Sequence, residues 1–299
     1  MDKQQIILVT GATTGIGRET ALHLARLGHR IFATGRKAAA LGELEAEARK
    51  QNLPLESFLL DVNDEASIRA AGEEVTRRTE GHGLDVLVNN AGFGLLAPME
   101  LITDADLRGQ LETNVVGLVK VTQQFLPAMR ERRAGKIINV SSMVGRMTLP
   151  LQGIYCATKH AVESLTDALR MEVAAFGVRV TLVEPGAIKS QFGSTALSTT
   201  SKYRDMGSPY GPAIDTYQAV VEKQYRGSPG PECIARTIAR IVRKRRPAAR
   251  YVSPRIMTIA LWLVGLVPTR LLDFVMGRVM GLGPKMLTAR QESQENKTE

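Results

Sequence analysis

Short β-branched runs alternate with amphipathic, helix-patterned stretches along most of this chain, and that alternation restricts the fold more than any single motif. The runs IILVT, RIFAT, LESFLL, LDVLVNN, KIINVSS and VRVTLVEPG are separated by helical patterns over residues 16–28, 38–51, 64–78, 104–133 and 153–176. Strands linked through helices pair in parallel, and the crossovers place helices on both faces of the sheet. Near-continuous apolar strands fit burial on both sides. With right-handed crossovers the expected fold is α/β, a doubly wound parallel sheet.

No Pro/Gly-rich linker divides residues 1–254, which read as one domain. Within it, residues 187–230 are rich in Ser, Thr, Gly and Pro around one modest helical stretch. Irregular segments of that length in a compact domain are commonly functional, and a substrate lid is expected there. A further helix over 231–245 and a last strand over 249–252 follow. Residues 255–284 then form an apolar and amphipathic helical extension, and 285–299 a polar tail.

At 44% hydrophobic and 23% charged residues, the composition supports a sizeable core and excludes a disordered chain. Cys156 and Cys233 are far apart, and His23, His29, His82 and His160 are scattered, so neither a disulfide framework nor a metal site is expected. The opening MDKQQIILVTGA passes straight into a strand without an apolar signal segment, which makes a reducing cytoplasmic setting the expectation. The formal charge of +9 concentrates in residues 131–136 and 240–250. Such runs suit a solvated surface, anionic lipid or a phosphorylated small molecule. They carry no nucleic-acid-binding signature, so nucleic acid is not an expected partner.

The first strand leads into Thr10-Gly11-Ala12-Thr13-Thr14-Gly15-Ile16-Gly17-Arg18. Glycines here allow a tight turn and close approach to a phosphate, and the following helix offers free N–H groups and its positive dipole end. A dinucleotide is therefore expected. The second strand ends in Gly35-Arg36-Lys37, without the carboxylate that meets a free ribose 2′-hydroxyl. Arg36, assisted by Arg18, matches a 2′-phosphate instead, and the expected cofactor is NADP(H).

Tyr155 and Lys159 stand one helical turn apart, on one helix face. A positive ammonium beside a phenol favours the phenolate, so the pair is expected to have a lowered tyrosine pKa and to act as a tuned proton donor. An ordinary exposed helix face is the alternative that this fragment alone leaves open.

Taken together, these motifs resemble the short-chain dehydrogenases/reductases. Thr10–Gly17 resembles TGxxxGxG, Asp61-Val62 the adenine-contacting pair, and Asn89-Asn90-Ala91-Gly92 the NNAG motif. Asn114 matches a helix asparagine, Ser142 the serine thirteen residues before Tyr155, and Tyr155–Lys159 the YxASK signature. Pro185-Gly186 followed by Ser190 looks like PGxxxT with serine for threonine. The match covers about residues 4–192 in order. It implies a Rossmann-type fold with Tyr155 as general acid/base, Ser142 hydrogen-bonded to the reacting oxygen, and Lys159 lowering the tyrosine pKa and holding the nicotinamide ribose. Asn114 would support a water linking Lys159 to solvent. The cofactor residues it implies are Gly11, Thr13, Thr14, Gly15, Ile16, Gly17, Arg18, Arg36, Asp61, Val62, Asn89, Ala91, Gly92, Tyr155, Lys159, Pro185, Gly186, Ile188 and Ser190.

The stretches GRMTLP, YCATKHAVESLTDALR and FGVRVTLVEPGAIKSQF most resemble the branch of hydroxysteroid and retinol dehydrogenases and acyl-dihydroxyacetone-phosphate reductases. That implies an NADPH-dependent reductase of a lipophilic ketone or aldehyde. Two alternatives stand beside it: a reductase of phosphorylated or carrier-linked acyl ketones whose acidic group meets the basic run 243–250, and a non-catalytic NADP(H)-sensing scaffold. Self-association as a homodimer or homotetramer is left open. In the extension, the apolar run 256–267 is too short to span a bilayer, and Pro268 breaks it. Residues 255–283 read either as core helices covering the sheet edge or as a lid that also contacts a membrane surface.

Overall fold

Successive side chains of a strand point to opposite faces of its sheet, so an apolar run can feed two cores at once. In the computed structural model, which describes residues 3–204, 206 and 209–282, it does so. Ile7 and Val9 of β1 (Ile6–Val9) point to one side with Ile31 and Ala33 of β2 (Arg30–Gly35), while Leu8 and Phe32 point to the other. The first face is covered by α1 (Gly15–Arg26), α2 (Ala38–Lys50) and α9 (Glu232–Arg243); the second by α3 (Glu65–Arg78), α5 (Gly117–Glu131) and α6 (Gly153–Val173). All seven strands are parallel, in the order β3-β2-β1-β4-β5-β6-β7, with β3 (Leu55–Leu59), β4 (Val86–Asn89), β5 (Gly135–Val140), β6 (Val178–Pro185) and β7 (Arg250–Ser253). This is the expected Rossmann-type, doubly wound sheet, with C-terminal helices beyond it.

Chain order reverses between β1 and β4, which pair directly through Val9 and Val88. A crevice opens outside the carboxyl ends of strands at such a switch point. Everything carried by the loops after β1, β4, β5 and β6 is therefore brought to one edge. Between β4 and β5 the helical stretch is divided: α4 (Asp104–Leu111) passes through one π-helical turn, Glu112–Val116, into α5. Such turns are rare and cluster at functional positions.

The segment read as loop-rich around one modest helix contains two, α7 (Gln191–Arg204) and α8 (Gly211–Arg226). The Ser, Thr and Gly of α7 are poor helix formers, but tertiary packing overrides that weakness. Thr200 and Tyr203 are fully buried, and the Tyr203 hydroxyl and Lys202 ammonium both donate to the Asp106 carboxylate of α4. After β7 come α10 (Met257–Val264) and α11 (Thr269–Val279). They are not core helices: Leu261 and Met280 are buried, but most of their large apolar side chains face outward. The polar tail 285–299 lies outside the described residues.

Candidate active site

The turn after β1 is tied to the turn after β4. Gly11 has φ +64°, and a Cβ there would stand 2.9 Å from Ala91 Cα; one on Gly17 would stand 2.3 Å from the Gly11 carbonyl oxygen and 2.4 Å from Asn90 Nδ2. Only glycine fits either place without displacing backbone. The main-chain N–H groups of Asn90 and Ala91 both donate to Thr10 Oγ1, at 2.9 and 3.0 Å, and Asn90 Nδ2 donates to the carbonyls of Thr10 (2.9 Å) and Gly11 (3.2 Å). Thr10 and Asn90 thus fix the cradle. Both lie inside motifs legible in the sequence, where their bracing role was not assigned.

No side chain caps the N-terminus of α1, and no acidic residue lies in its first turn. Thr13, Thr14, Gly15, Ile16 and Gly17 therefore present an anion-binding helix start beside a glycine cradle, and the residues fit a dinucleotide. Arg36, directly after β2, is exposed and makes no ion pair among the described residues. Arg18 is partly exposed and forms an ion pair with Glu47 of α2. The other expected cofactor residues divide. Gly92 is exposed beside Asn114, and Ser190 meets Gly15 across the crevice, its Cβ 3.5 Å from where a Gly15 Cβ would lie. Pro185 and Gly186 close the end of β6, and the Gly186 N–H donates to the Ser253 carbonyl at 2.9 Å. The Asp61 carboxylate accepts from the Asn63 N–H at 3.0 Å within its own turn.

Three expected side chains face the core instead. Val62 is buried in the second apolar cluster, against Gly117, and Ile188 in the first. Asn89 Nδ2 donates to Thr122 Oγ1 and Asn139 Oδ1, both at 2.9 Å, so its side chain holds β4, β5 and α5 together. Being last in β4, Asn89 points inward where its neighbour Asn90 turns to the cradle. For these three, any cofactor contact would run through the main chain.

At the carboxyl end of β5, Ser142 meets the first turns of α6. Tyr155 hydrogen-bonds Ser142, whose Oγ also donates to the Pro185 carbonyl at 3.5 Å. The Lys159 ammonium donates to the Val140 carbonyl at 2.9 Å and stands 5.8 Å from the Tyr155 ring centroid. Both residues are buried, so the reading of an ordinary exposed helix face fails. The net direction at the phenol is upward: burial raises its pKa, and the hydrogen bond to Ser142 only partly opposes this. The expected lowering does not prevail, because burial dominates at the phenol. Burial also lowers the Lys159 pKa to about 8, against the opposing pull of the Glu163 carboxylate.

Asn114, in the π turn, braces this arrangement. Its Oδ1 accepts from the Phe93 N–H at 3.0 Å, and its Nδ2 donates to the Phe93 carbonyl (2.9 Å) and to Thr158 Oγ1 (3.1 Å). The loop after β4 is thereby fixed to α6 one residue before Lys159. Phe192 of α7, a position that no motif marks, packs its ring 5.5 Å from that of Tyr155. Around the phenol lie Val144, Leu149, Cys156 and Phe192, an apolar surround; a second buried cluster, with Leu96, Ile154, Tyr217 and Val221, joins α6 and α8.

The basic run after α9 is elsewhere. Arg245 lines a cavity with Lys3, Asp85 and Arg179, at the amino-terminal edge of the sheet. Arg250 is ion-paired with Glu163 (3.0 Å), Glu184 (3.3 Å) and Asp167. The expectation that this run receives an acidic substrate group is not supported: one part lies at the far edge and the other is neutralised by three carboxylates.

Against known proteins, residues 5–200 match the short chain dehydrogenase family model. The chain is 35% identical over 247 residues to 3-ketodihydrosphingosine reductase of Bacteroides thetaiotaomicron, spanning 82% of this chain and 86% of that one. It is also 35% identical over 256 residues to human 17-beta-hydroxysteroid dehydrogenase type 1, spanning 83% and 77%. A short-chain dehydrogenase structure from Streptomyces avermitilis superposes with a TM-score of 0.74 at 28% identity, covering 93% of this chain and 97% of that one. The chain belongs to the short-chain dehydrogenase/reductase family, near its hydroxysteroid dehydrogenase branch, and is an oxidoreductase built for a nicotinamide cofactor.

Proposed function

We propose that this protein is an NADPH-dependent reductase of a bulky, lipophilic ketone or aldehyde. The observation that carries the reading is the Ser142–Tyr155–Lys159 arrangement under an apolar surround of Val144, Leu149, Cys156 and Phe192. When bound, the cofactor supplies the hydride. The chain supplies the proton and the positioning. As negative charge builds on the carbonyl oxygen, Ser142 stabilises it and Tyr155 donates the proton. A phenol raised by burial stays fully protonated until that charge develops, which suits it as the acid.

Lys159 holds the ribose and passes protons to Tyr155. The side chain of Asn114 is committed to Phe93 and Thr158. A water linking Lys159 to solvent would then be supported from Asn114 through its main chain and not through its side chain. Arg36, with Arg18, selects the 2′-phosphate. Residues 187–230 act as the lid, with Phe192 resting on the reacting tyrosine. Two names among the relatives, one a sphingosine-type ketone reductase and the other a hydroxysteroid dehydrogenase, support a lipophilic substrate class.

A panel of ketones followed by NADPH absorbance tests the reading. Bulky lipophilic ketones are expected to be reduced with lower KM than small or anionic ones. Absence of NADPH oxidation across the panel would leave the non-catalytic scaffold as the better account.

A further inference from the structure

Apolar side chains are buried over most of this fold, and α9 buries every one of its isoleucines. The exception begins where β7 ends. Trp262, Leu263 and Leu266 around α10, and Leu271 and Phe274 on α11, are each more than half exposed. Single exposed apolar residues need no explanation, but a run of them across two adjacent helices marks a surface that meets something. The pair is held to the body at its two ends. A Cβ on Gly186 would lie 3.6 Å from Met257 Cγ, and one on Gly281 would lie 2.8 Å from Thr216 Cβ. Between these ends Leu261 turns into the body, while the large apolar side chains named above face outward.

Charge identifies the partner. Between residues 255 and 282 the ionisable residues are Arg255, Arg270, Arg278 and the single acid Asp273. All four are exposed, and the Arg278 guanidinium lies over the Phe274 ring at 5.7 Å. A two-fold dimer through this face would set three arginines against the same three, with one aspartate per copy to offset them. A lipid surface accepts apolar side chains in its acyl boundary and arginines among its phosphates. Spanning is excluded by length. The 8-residue α10 rises about 12 Å at 1.5 Å per residue, against a hydrocarbon core of about 30 Å. The basic run 243–246 lies at the opposite end of the short strand β7 and takes no part.

This face adjoins the reaction site. Ala187, Val220, Pro229, Pro254 and Met257 line an open cavity of about 690 Å³ between the loop after β6, α8 and the start of α10. Met257 and Met143 both border Gly186, at the end of the strand that meets Ser142. We infer that α10 and α11 form a monotopic seat on an anionic lipid surface. There the mouth of the cleft faces the acyl boundary, and a lipophilic substrate enters from the bilayer. The route of entry rests on the reductase reading; the binding does not.

Trp262 is the only tryptophan in the chain and lies on α10, 65% exposed. The full chain is mixed with vesicles of phosphatidylcholine, with and without phosphatidylglycerol. The expected result is a blue shift of Trp262 emission and quenching by brominated phosphatidylcholine, stronger on the anionic vesicles and weakened by salt. Leu266→Glu combined with Phe274→Glu should lower partitioning at least about tenfold, since losing the burial of one leucine alone exceeds that factor. Turnover of a small water-soluble ketone and the far-UV circular dichroism should not change. A chain that reduces ketones but neither shifts nor cosediments with vesicles overturns the seat alone. A chain that binds vesicles but oxidises no NADPH supports the seat and overturns the reductase reading. A concentration-dependent Trp262 shift without lipid, tracking dimer formation in analytical ultracentrifugation, overturns the seat and assigns the face to a second copy.

Discussion

Arg18 on α1 and Glu47 on α2 form an ion pair beside the glycine cradle, whereas Arg36 at the tip of β2 carries its charge exposed and without an ion pair among the described residues. The two arginines expected at the 2′-phosphate are thus not equivalent: one is available and the other is held by a carboxylate. A charge-assisted hydrogen bond contributes about 1.5–3 kcal/mol, so Arg36→Ala should weaken NADPH binding roughly 10- to 150-fold. NADH should bind as before or better. Glu47→Gln should release Arg18 and tighten NADPH without improving NADH. Isothermal titration of both variants with both cofactors decides; equal losses for NADPH and NADH in Arg36→Ala would make that arginine structural.

Tyr155 is the only acid proposed at the carbonyl. Tyr155→Phe keeps the ring against Phe192, at 5.5 Å in the native protein, and removes only the hydroxyl. Turnover should fall at least about 100-fold, the low end for general acid–base catalysis, while cofactor affinity is retained. Single-turnover rates with pre-bound NADPH separate the two effects. A variant reducing ketones at the native rate would remove Tyr155 from the mechanism.

The cradle should depend on Asn90 as much as on its glycines. Asn90→Ala deletes the donors to the Thr10 and Gly11 carbonyls but leaves the main-chain bonds to Thr10 Oγ1 in place. Stability should drop by about 1 kcal/mol, as the two part-buried acceptors lose their donor. NADPH and NADH should weaken together, since the shared part of the site is loosened. Urea unfolding with cofactor titration checks this, and an unchanged midpoint with unchanged affinity would show that the clamp is redundant.

What the sequence made legible was local or periodic. The continuous apolar run IILV predicts burial on both faces of the sheet, and Ile7 and Val9 do face away from Leu8. One turn of helix is enough to place Tyr155 beside Lys159. Less legible were pairings between residues distant in the chain and side-chain directions at strand ends. Glu47 lies 29 residues from Arg18, and Arg250 lies 83 from Asp167; no period links them. Asn89 and Asn90 read alike in NNAG, yet one closes a strand and points inward while the other leaves it. Phe192 sits in a helix that its Ser- and Gly-rich composition disfavours, and packing formed that helix. The direction of the Tyr155 shift depended on how deeply α6 is buried, which spacing does not encode.

The pH dependence should report Lys159. Burial lowers its pKa to about 8, and the Glu163 carboxylate, itself paired with Arg250, works in the opposite direction. The group is therefore charged below about pH 8 and neutral above it. If its ammonium holds the ribose and relays the proton, kcat/KM for NADPH, which reports groups of the free enzyme, should be level on the acid side and decline as pH rises through about 8. Glu163→Gln removes the negative charge that favours the protonated form, so the declining limb should move to lower pH. Lys159→Arg, charged at every accessible pH, should abolish the limb even where activity is reduced. The profiles are read from about pH 6 to 10 at constant ionic strength. A native profile without a limb near 8, or a limb that moves to higher pH in Glu163→Gln, would take Lys159 out of the proton relay.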